Sequence, residues 1–98
     1  MKIVIVGLGV IGGSFAMALN EAGYKDVFGI DTNPETIKKA EELGIIKKGS
    51  PNGEDFLKEA DLVIISIYPK IVKTFVENNK DNFKDGAIIT DATGIKGM

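Results

Sequence analysis

The sequence predicts an α/β fold, a doubly wound parallel sheet with strand order 3-2-1-4-5, and three observations carry that expectation. Ile3–Val6 and Leu62–Ile65 are unbroken apolar runs, as strands buried on both faces require. Strand and helix signals alternate as βαβαβαβαβ, which implies right-handed crossovers between parallel strands. Between the first strand and the first helix stands Gly7-Leu8-Gly9-Val10-Ile11-Gly12, a G-x-G-x-x-G pattern.

The elements follow in order. The run Ile3 to Val6 is the first strand. Phe15, Ala16, Ala18, Leu19 and Ala22 mark the first helix, closed by Gly23. Asp26 to Asp31 is the second strand. Asn33 before Pro34 supplies an N-cap with proline at the first helical position, and Thr32 with Glu35 is an alternative capping box. Ile37, Ala40 and Leu43 give the second helix its buried stripe, and Gly44 ends it. Ile45 to Lys48 is a short third strand. Ser50-Pro51-Asn52-Gly53 is turn chemistry, and Phe56, Leu57 and Ala60 mark a short helix. The fourth strand is Leu62 to Ile65. Pro69 opens a helix whose Ile71, Val72, Phe75 and Val76 share one face. Residues 78–86 read as a polar connection around Phe83, and Ala87 to Thr90 is the last strand.

The glycine turn has a physical reading. Gly7 lets the chain turn tightly out of the strand. Gly9, without a Cβ, lets a pyrophosphate sit against the backbone, and Gly12 lets the helix lie close on the strand. Free N–H groups at the helix start then face negative charge, and Leu8, Val10 and Ile11 belong to the same backbone cradle. Ser14 adds a hydroxyl nearby. The alternative is a turn that merely packs a helix on a sheet, and the agreement of strand, turn and helix favours the phosphate site. Asp31 stands 24 positions after Gly7, at the end of the second strand. A carboxylate there accepts hydrogen bonds from both ribose hydroxyls and repels a 2′-phosphate. Discrimination for phosphate usually needs Arg, and all 12 basic residues are lysines, so NAD is expected over NADP. The loops after the fourth and fifth strands border the same crevice. They place Ser66 and Thr93 beside the nicotinamide half, Tyr68 on the rim, and Lys96 where an anionic substrate can meet it.

Composition sets limits. Hydrophobic content is 44%, charged content 27% and net charge −2, as in a globular domain with no leaning toward nucleic acid or an anionic membrane surface. The sequence has no His and no Cys, which excludes zinc sites built on those residues, thiol nucleophiles and histidine bases within this chain; no metal is expected. The lack of Cys fits a reducing compartment, and a cytoplasmic location is expected. No stretch is long enough to span a membrane.

Several stretches carry a resemblance. Gly7-Leu-Gly-Val-Ile-Gly-Gly-Ser14, Ile30-Asp31-x-Asn33-x-Glu35, Ala40-Glu-Glu-Leu-Gly44, Ala60-Asp61-Leu62-Val63 and Thr90-Asp91 followed by Lys96-Gly97 resemble the prephenate and arogenate dehydrogenases of tyrosine biosynthesis, in order and spacing. The resemblance runs over essentially the whole chain. It implies a Rossmann-type NAD(P)-binding domain over residues 1–98, serving an oxidative decarboxylation with hydride transfer. It also implies that the family's catalytic histidine and helical dimerisation domain lie outside this chain, which is then expected to bind cofactor without turning over; the intact protein is expected to be a homodimer acting on an anionic small molecule. The family's loop serine falls on Gly94, with Thr93 one position earlier, so no catalytic residue is assigned here beyond Thr93 and Lys96 as substrate-side candidates. Two other readings share the same residues: another NAD(P)-dependent dehydrogenase, and a nucleotide-sensing regulatory domain.

Overall fold

The computed structural model describes residues 1–67 and 69–91, with only the backbone of Val10, Ile11, Pro69, Lys70 and Asp91. Five parallel strands form one sheet in the order β3-β2-β1-β4-β5. In chain order the elements are β1 (Ile3–Val6), α1 (Val10–Glu21), β2 (Val27–Ile30), α2 (Pro34–Glu42), β3 (Lys48–Ser50), α3 (Glu54–Glu59), β4 (Leu62–Ile65), α4 (Pro69–Asn79) and β5 (Ile88–Asp91). This is the expected Rossmann-like architecture.

The period of two along each strand divides the core into two layers. Ile3, Ile5, Val27 and Ile64 face Ala16 of α1, Ile37 and Ala40 of α2, and Ile46. Val4, Val6, Ile30, Val63 and Ile65 face Leu57 and Ala60, with Val72, Phe75 and Val76 of α4 packed against them. β1, at the centre, is buried along its whole length, which is why its run carries no polar residue. Among the described residues no charged or polar side chain is buried.

The helix ends follow their local chemistry. Asn33 caps α2, its Oδ1 accepting from the Glu35 N–H at 2.9 Å, so Asn33 and not the Thr32 box is the cap. At the far end of α1 the N–H of Gly23 donates to Asn20 O and that of Tyr24 to Leu19 O; Gly44 and Ile45 repeat the pattern on α2, with Glu41 O and Ala40 O as acceptors.

That second cap corrects two expectations. The Schellman turn swings the chain off the helix before Leu43 reaches the buried stripe, leaving Leu43 60% exposed and putting Ile46 in the core. Ile45 and Ile46 are used in that turn, so β3 starts at Lys48 and not at Ile45, after the Lys47 N–H has donated to Val27 O at 2.7 Å. In α4, Ile71 stands half exposed and apart from the face made by Val72, Phe75 and Val76. The helix runs on to Asn79, into the expected connection, because the Asn79 side chain donates back to Phe75 O at 2.9 Å and closes the last turn. On β5, Ile88 is 62% and Ile89 39% exposed, the weakest cover of any strand in the sheet.

The N-terminal ends of the strands are tied by one aspartate. Asp61 Oδ2 accepts from the Lys2 N–H at 2.9 Å, Oδ1 pairs with Lys84 Nζ, and Asp61 O accepts from the Ile88 N–H at 2.9 Å. β1, β4 and the approach to β5 therefore meet at this residue. The Lys84 ammonium first, and the Lys2 N–H second, hold the Asp61 carboxyl below the ordinary aspartate value. A depressed pKa adds stability that is complete above the unfolded value and is lost as pH falls through the folded one. Asp61→Asn is therefore expected to lower the urea midpoint at pH 7, with the gap to the parent closing as pH drops below roughly 4. A gap that is the same at neutral and acid pH would show that the carboxylate's charge is not what holds these strands.

Candidate functional site

The carboxyl ends of β1, β2 and β4 converge on Gly7. Its N–H donates to Ile30 O at 2.7 Å, and the Ser66 N–H donates to Val6 O at 2.7 Å. Gly7 has φ +90°, in the region that favours glycine, and a Cβ there would strike the Ser66 carbonyl and lie 2.8 Å from Ile67 Cγ2. One turn on, α1 passes so close that a Cβ on Gly12 would overlap the Gly7 carbonyl oxygen. Gly9, the N-cap, is different: a Cβ there meets nothing within 4 Å. The first ladder bond of α1 runs from the Gly13 N–H to Gly9 O at 2.8 Å, so the N–H groups of residues 10 to 12 precede the ladder. No side chain caps this end and no acidic residue occupies its first turn, so the N–H groups that open the helix are left to the backbone's own positive pole. The arrangement is an anion cradle with an open side at Gly9.

Leu8 is turned into the protein. Its side chain, 6% exposed, occupies the space that Gly29 of β2 leaves, with Leu8 Cδ1 only 2.6 Å from where a Gly29 Cβ would stand. Its N–H donates to Asp31 Oδ2 at 2.8 Å. Leu8 thus anchors the turn, where the sequence suggested a share in the cradle itself. The other Asp31 oxygen accepts from the Asn33 N–H at 2.8 Å. The carboxylate therefore ties the glycine turn to the start of α2, while capping of that helix falls to Asn33. Each carboxylate oxygen keeps a further acceptor direction.

From Gly7 and Asp31 a cleft of about 440 Å³ opens along the sheet edge. Val6, Gly7 and Ile30 line its base; Asp31, Thr32, Pro51, Asn52 and Glu54 line one side; Ile67, Ile71, Phe75, Asn78 and Asn79 line the other. The volume is in the range of small-molecule sites. Ile71 is exposed because it faces this opening and not the core. Asn79 is held by two bonds, to Phe75 O and from Asn82 Nδ2, each at 2.9 Å.

The structure thus brings Gly7, Leu8, Gly9, the backbone of Val10 and Ile11, Gly12 and Asp31 to one end of the sheet. Ser66 joins them through its backbone, beside Gly7. Tyr68, Thr93, Gly94 and Lys96 lie outside the described residues. The cleft wall of Asn52, Glu54, Phe75 and Asn78 escaped the sequence reading. Its available signal was the Ser50-to-Gly53 turn, which follows β3 at the same carboxyl edge as Asp31. Among the described residues no group of His, Cys, Asp or Glu is arranged to hold a metal ion. Nor is any described helix long and apolar enough to cross a membrane.

A family model, the prephenate dehydrogenase nucleotide-binding domain, matches residues 15–98. The chain belongs to this family. The match begins immediately after the glycine turn, so it is independent of the G-x-G-x-x-G pattern. A prephenate dehydrogenase from A. aeolicus, solved with hydroxyphenyl propionate and NAD+, is 36% identical with a TM-score of 0.84, over 93% of this chain and 33% of that one. A Synechocystis arogenate dehydrogenase is 27% identical with a TM-score of 0.86, over 93% and 32% of the two chains. A ketol-acid reductoisomerase (NADP(+)) of Bifidobacterium animalis subsp. lactis (strain AD011) is 31% identical over 94 residues, 95% of this chain and 26% of that enzyme. The chain thus spans about a third of the length of the solved dehydrogenases, which are oxidoreductases.

The two glycines of the turn should separate in a stability measurement. Gly12→Ala is expected to cost about 1–3 kcal/mol or to displace α1, because the added methyl has only the Gly7 carbonyl to enter. Gly9→Ala should stay within about 0.5 kcal/mol of the parent. Urea unfolding of both variants checks this, and equal costs would contradict the contrast in free space.

Proposed function

We propose that this chain is the NAD-binding domain of a prephenate- or arogenate-oxidising enzyme, which carries out the oxidative decarboxylation that leads toward tyrosine. The observation that carries the reading is the cradle of Gly7 to Gly12, open at Gly9 and fastened to a ribose-type carboxylate by the bond from the Leu8 N–H to Asp31. The residues present fit the cofactor. The pyrophosphate lies against Gly9 and the N–H groups that open α1, where the helix dipole favours it. The ribose hydroxyls donate to the free acceptor directions of Asp31. The adenosine end extends into the cleft between Asn52 and Phe75. Ser66, and Thr93 by its place after β5, border the nicotinamide half. NAD, once bound, accepts the hydride as carbon dioxide leaves the substrate. General acid–base assistance is typically worth about 10²–10⁴-fold, and the 98 residues contain no His to supply it. That group, the substrate's main contacts and the pairing into a homodimer belong to sequence outside these residues. The relatives' greater length supports this division.

Two measurements test the reading. In calorimetry at one ionic strength, NAD should bind much more tightly than NADP, Gly9→Ala should weaken NAD with the fold intact, and Asp31→Ala should narrow the gap between the two cofactors. Equal affinities, or tighter NADP, would remove the assignment. NADH absorbance with prephenate or arogenate at saturating NAD should stay flat for the 98-residue chain; turnover would refute the division of labour.

A further inference from the structure

We propose that Glu54 is a second specificity-determining carboxylate, acting with Asp31 to exclude a phosphate from the 2′ position of the adenosine ribose. The inference rests on the dinucleotide reading of the cleft and goes beyond it, because the β2-end aspartate is the acid that the glycine fingerprint anticipates and Glu54 lies on a different crossover.

Glu54 reaches the cleft through a chain of close contacts. The Asp31 N–H donates to Ser50 O at 3.3 Å, which fixes the end of β2 against the end of β3. Ser50 Oγ then accepts from the N–H groups of Asn52 and Gly53, at 3.3 and 3.2 Å, and folds the chain back at once. Gly53 lies flat on Ile30, the residue before Asp31: a Cβ on Gly53 would collide with the Ile30 side chain, and its φ of +64° is one that glycine adopts freely. The next residue is Glu54, which begins α3 and lines the same cleft as Asp31 and Thr32. Gly53 is therefore the residue that lets the start of α3, and Glu54 with it, lie against the end of β2.

The charge of the cleft makes the functional point. Its described lining holds two carboxylates, Asp31 and Glu54, and no lysine. Ribose hydroxyls are uncharged donors that Asp31 alone can accept, so a second acid nearby costs them nothing. A 2′-phosphate carries about −1.5 to −2 charge at pH 7 and has only acceptor oxygens to offer. It would meet like charge from both acids on one wall, with no lysine in the described cleft lining to offset it. Asp55, one residue on, supplies an internal control. It carries the same charge on the same turn but lines only the neighbouring hollow with Lys48 and Phe56, which Glu54 also borders, and is absent from the cleft wall.

The test is calorimetric titration of the parent, Glu54→Gln, Asp55→Asn and Asp31→Ala with NAD and with NADP, at low and at high ionic strength. Glu54→Gln should bind NADP about five- to tenfold more tightly than the parent does at low salt, with a smaller gain at high salt since Glu54 is solvent-exposed. NAD affinity should change little, and Asp55→Asn should leave the NAD to NADP ratio unchanged. An equal gain in the Glu54 and Asp55 variants would mean a general field effect and overturn the proposal. So would a gain confined to Asp31→Ala, which would leave the dinucleotide reading standing. A parent that binds neither cofactor would overturn both, and is distinguished from these outcomes by the first titration.

Discussion

The hydrogen bond from the Leu8 N–H to Asp31 Oδ2 is the constraint on which the site depends. It joins two residues 23 positions apart, one just past β1 and one just past β2. A glycine-rich turn has more backbone freedom than any other, and it must lose that freedom to present its N–H groups in one direction. Two contacts remove it. The carboxylate holds the backbone of the turn, and the Leu8 side chain, filling the gap at Gly29, fastens it to β2. Binding an anion then costs little further ordering, which is what a preorganised site requires.

The two ends of the sheet use charge in opposite ways. At the amino ends of the strands, Asp61 has its partners in Lys2 and Lys84, and a second pair joins Lys2 to Glu59 at 2.7 Å. Lys2 also lies 4.4 Å above the Phe28 ring, so its stem and head both contribute to closing that end. At the carboxyl ends the described side chains that line the cleft are two acids, amides, Thr32 and apolar groups, with no lysine among them. The pairs at the amino ends secure the fold, and the two cleft acids lie where a ligand is expected to arrive.

Most of the architecture was readable because the relevant signals are local. The runs at Ile3 and Leu62, the Asn33-Pro34 cap and the glycine at each helix end act within a few residues, and each appears where it was expected. The sheet order followed from the alternation of elements. Errors arose where a nearby turn competed with hydrophobic pattern. Ile45 and Ile46 have strand composition but are consumed by the Gly44 cap, and Leu43 has the right spacing from Ala40 yet belongs to the turn. Ile71 fits a helical stripe and instead borders the cleft, which periodicity cannot distinguish from the core. At the site, the turn and Asp31 were visible because a motif names them, whereas Glu54 and Phe75 come together only through the crossing of separate elements.

The uneven cover of the strands has a dynamic consequence. β1 is hydrogen-bonded on both sides and closed over on both faces, while β5 is paired with β4 alone and shows isoleucine side chains to solvent on each face. Amide protons should therefore exchange slowest along β1 and soonest along β5, a gradient of local opening that runs across the sheet. The glycine turn follows β1, at the slow centre of that gradient. Opening at β5 is expected to leave Gly7 undisturbed, so the glycine turn keeps its shape while that border of the sheet opens first.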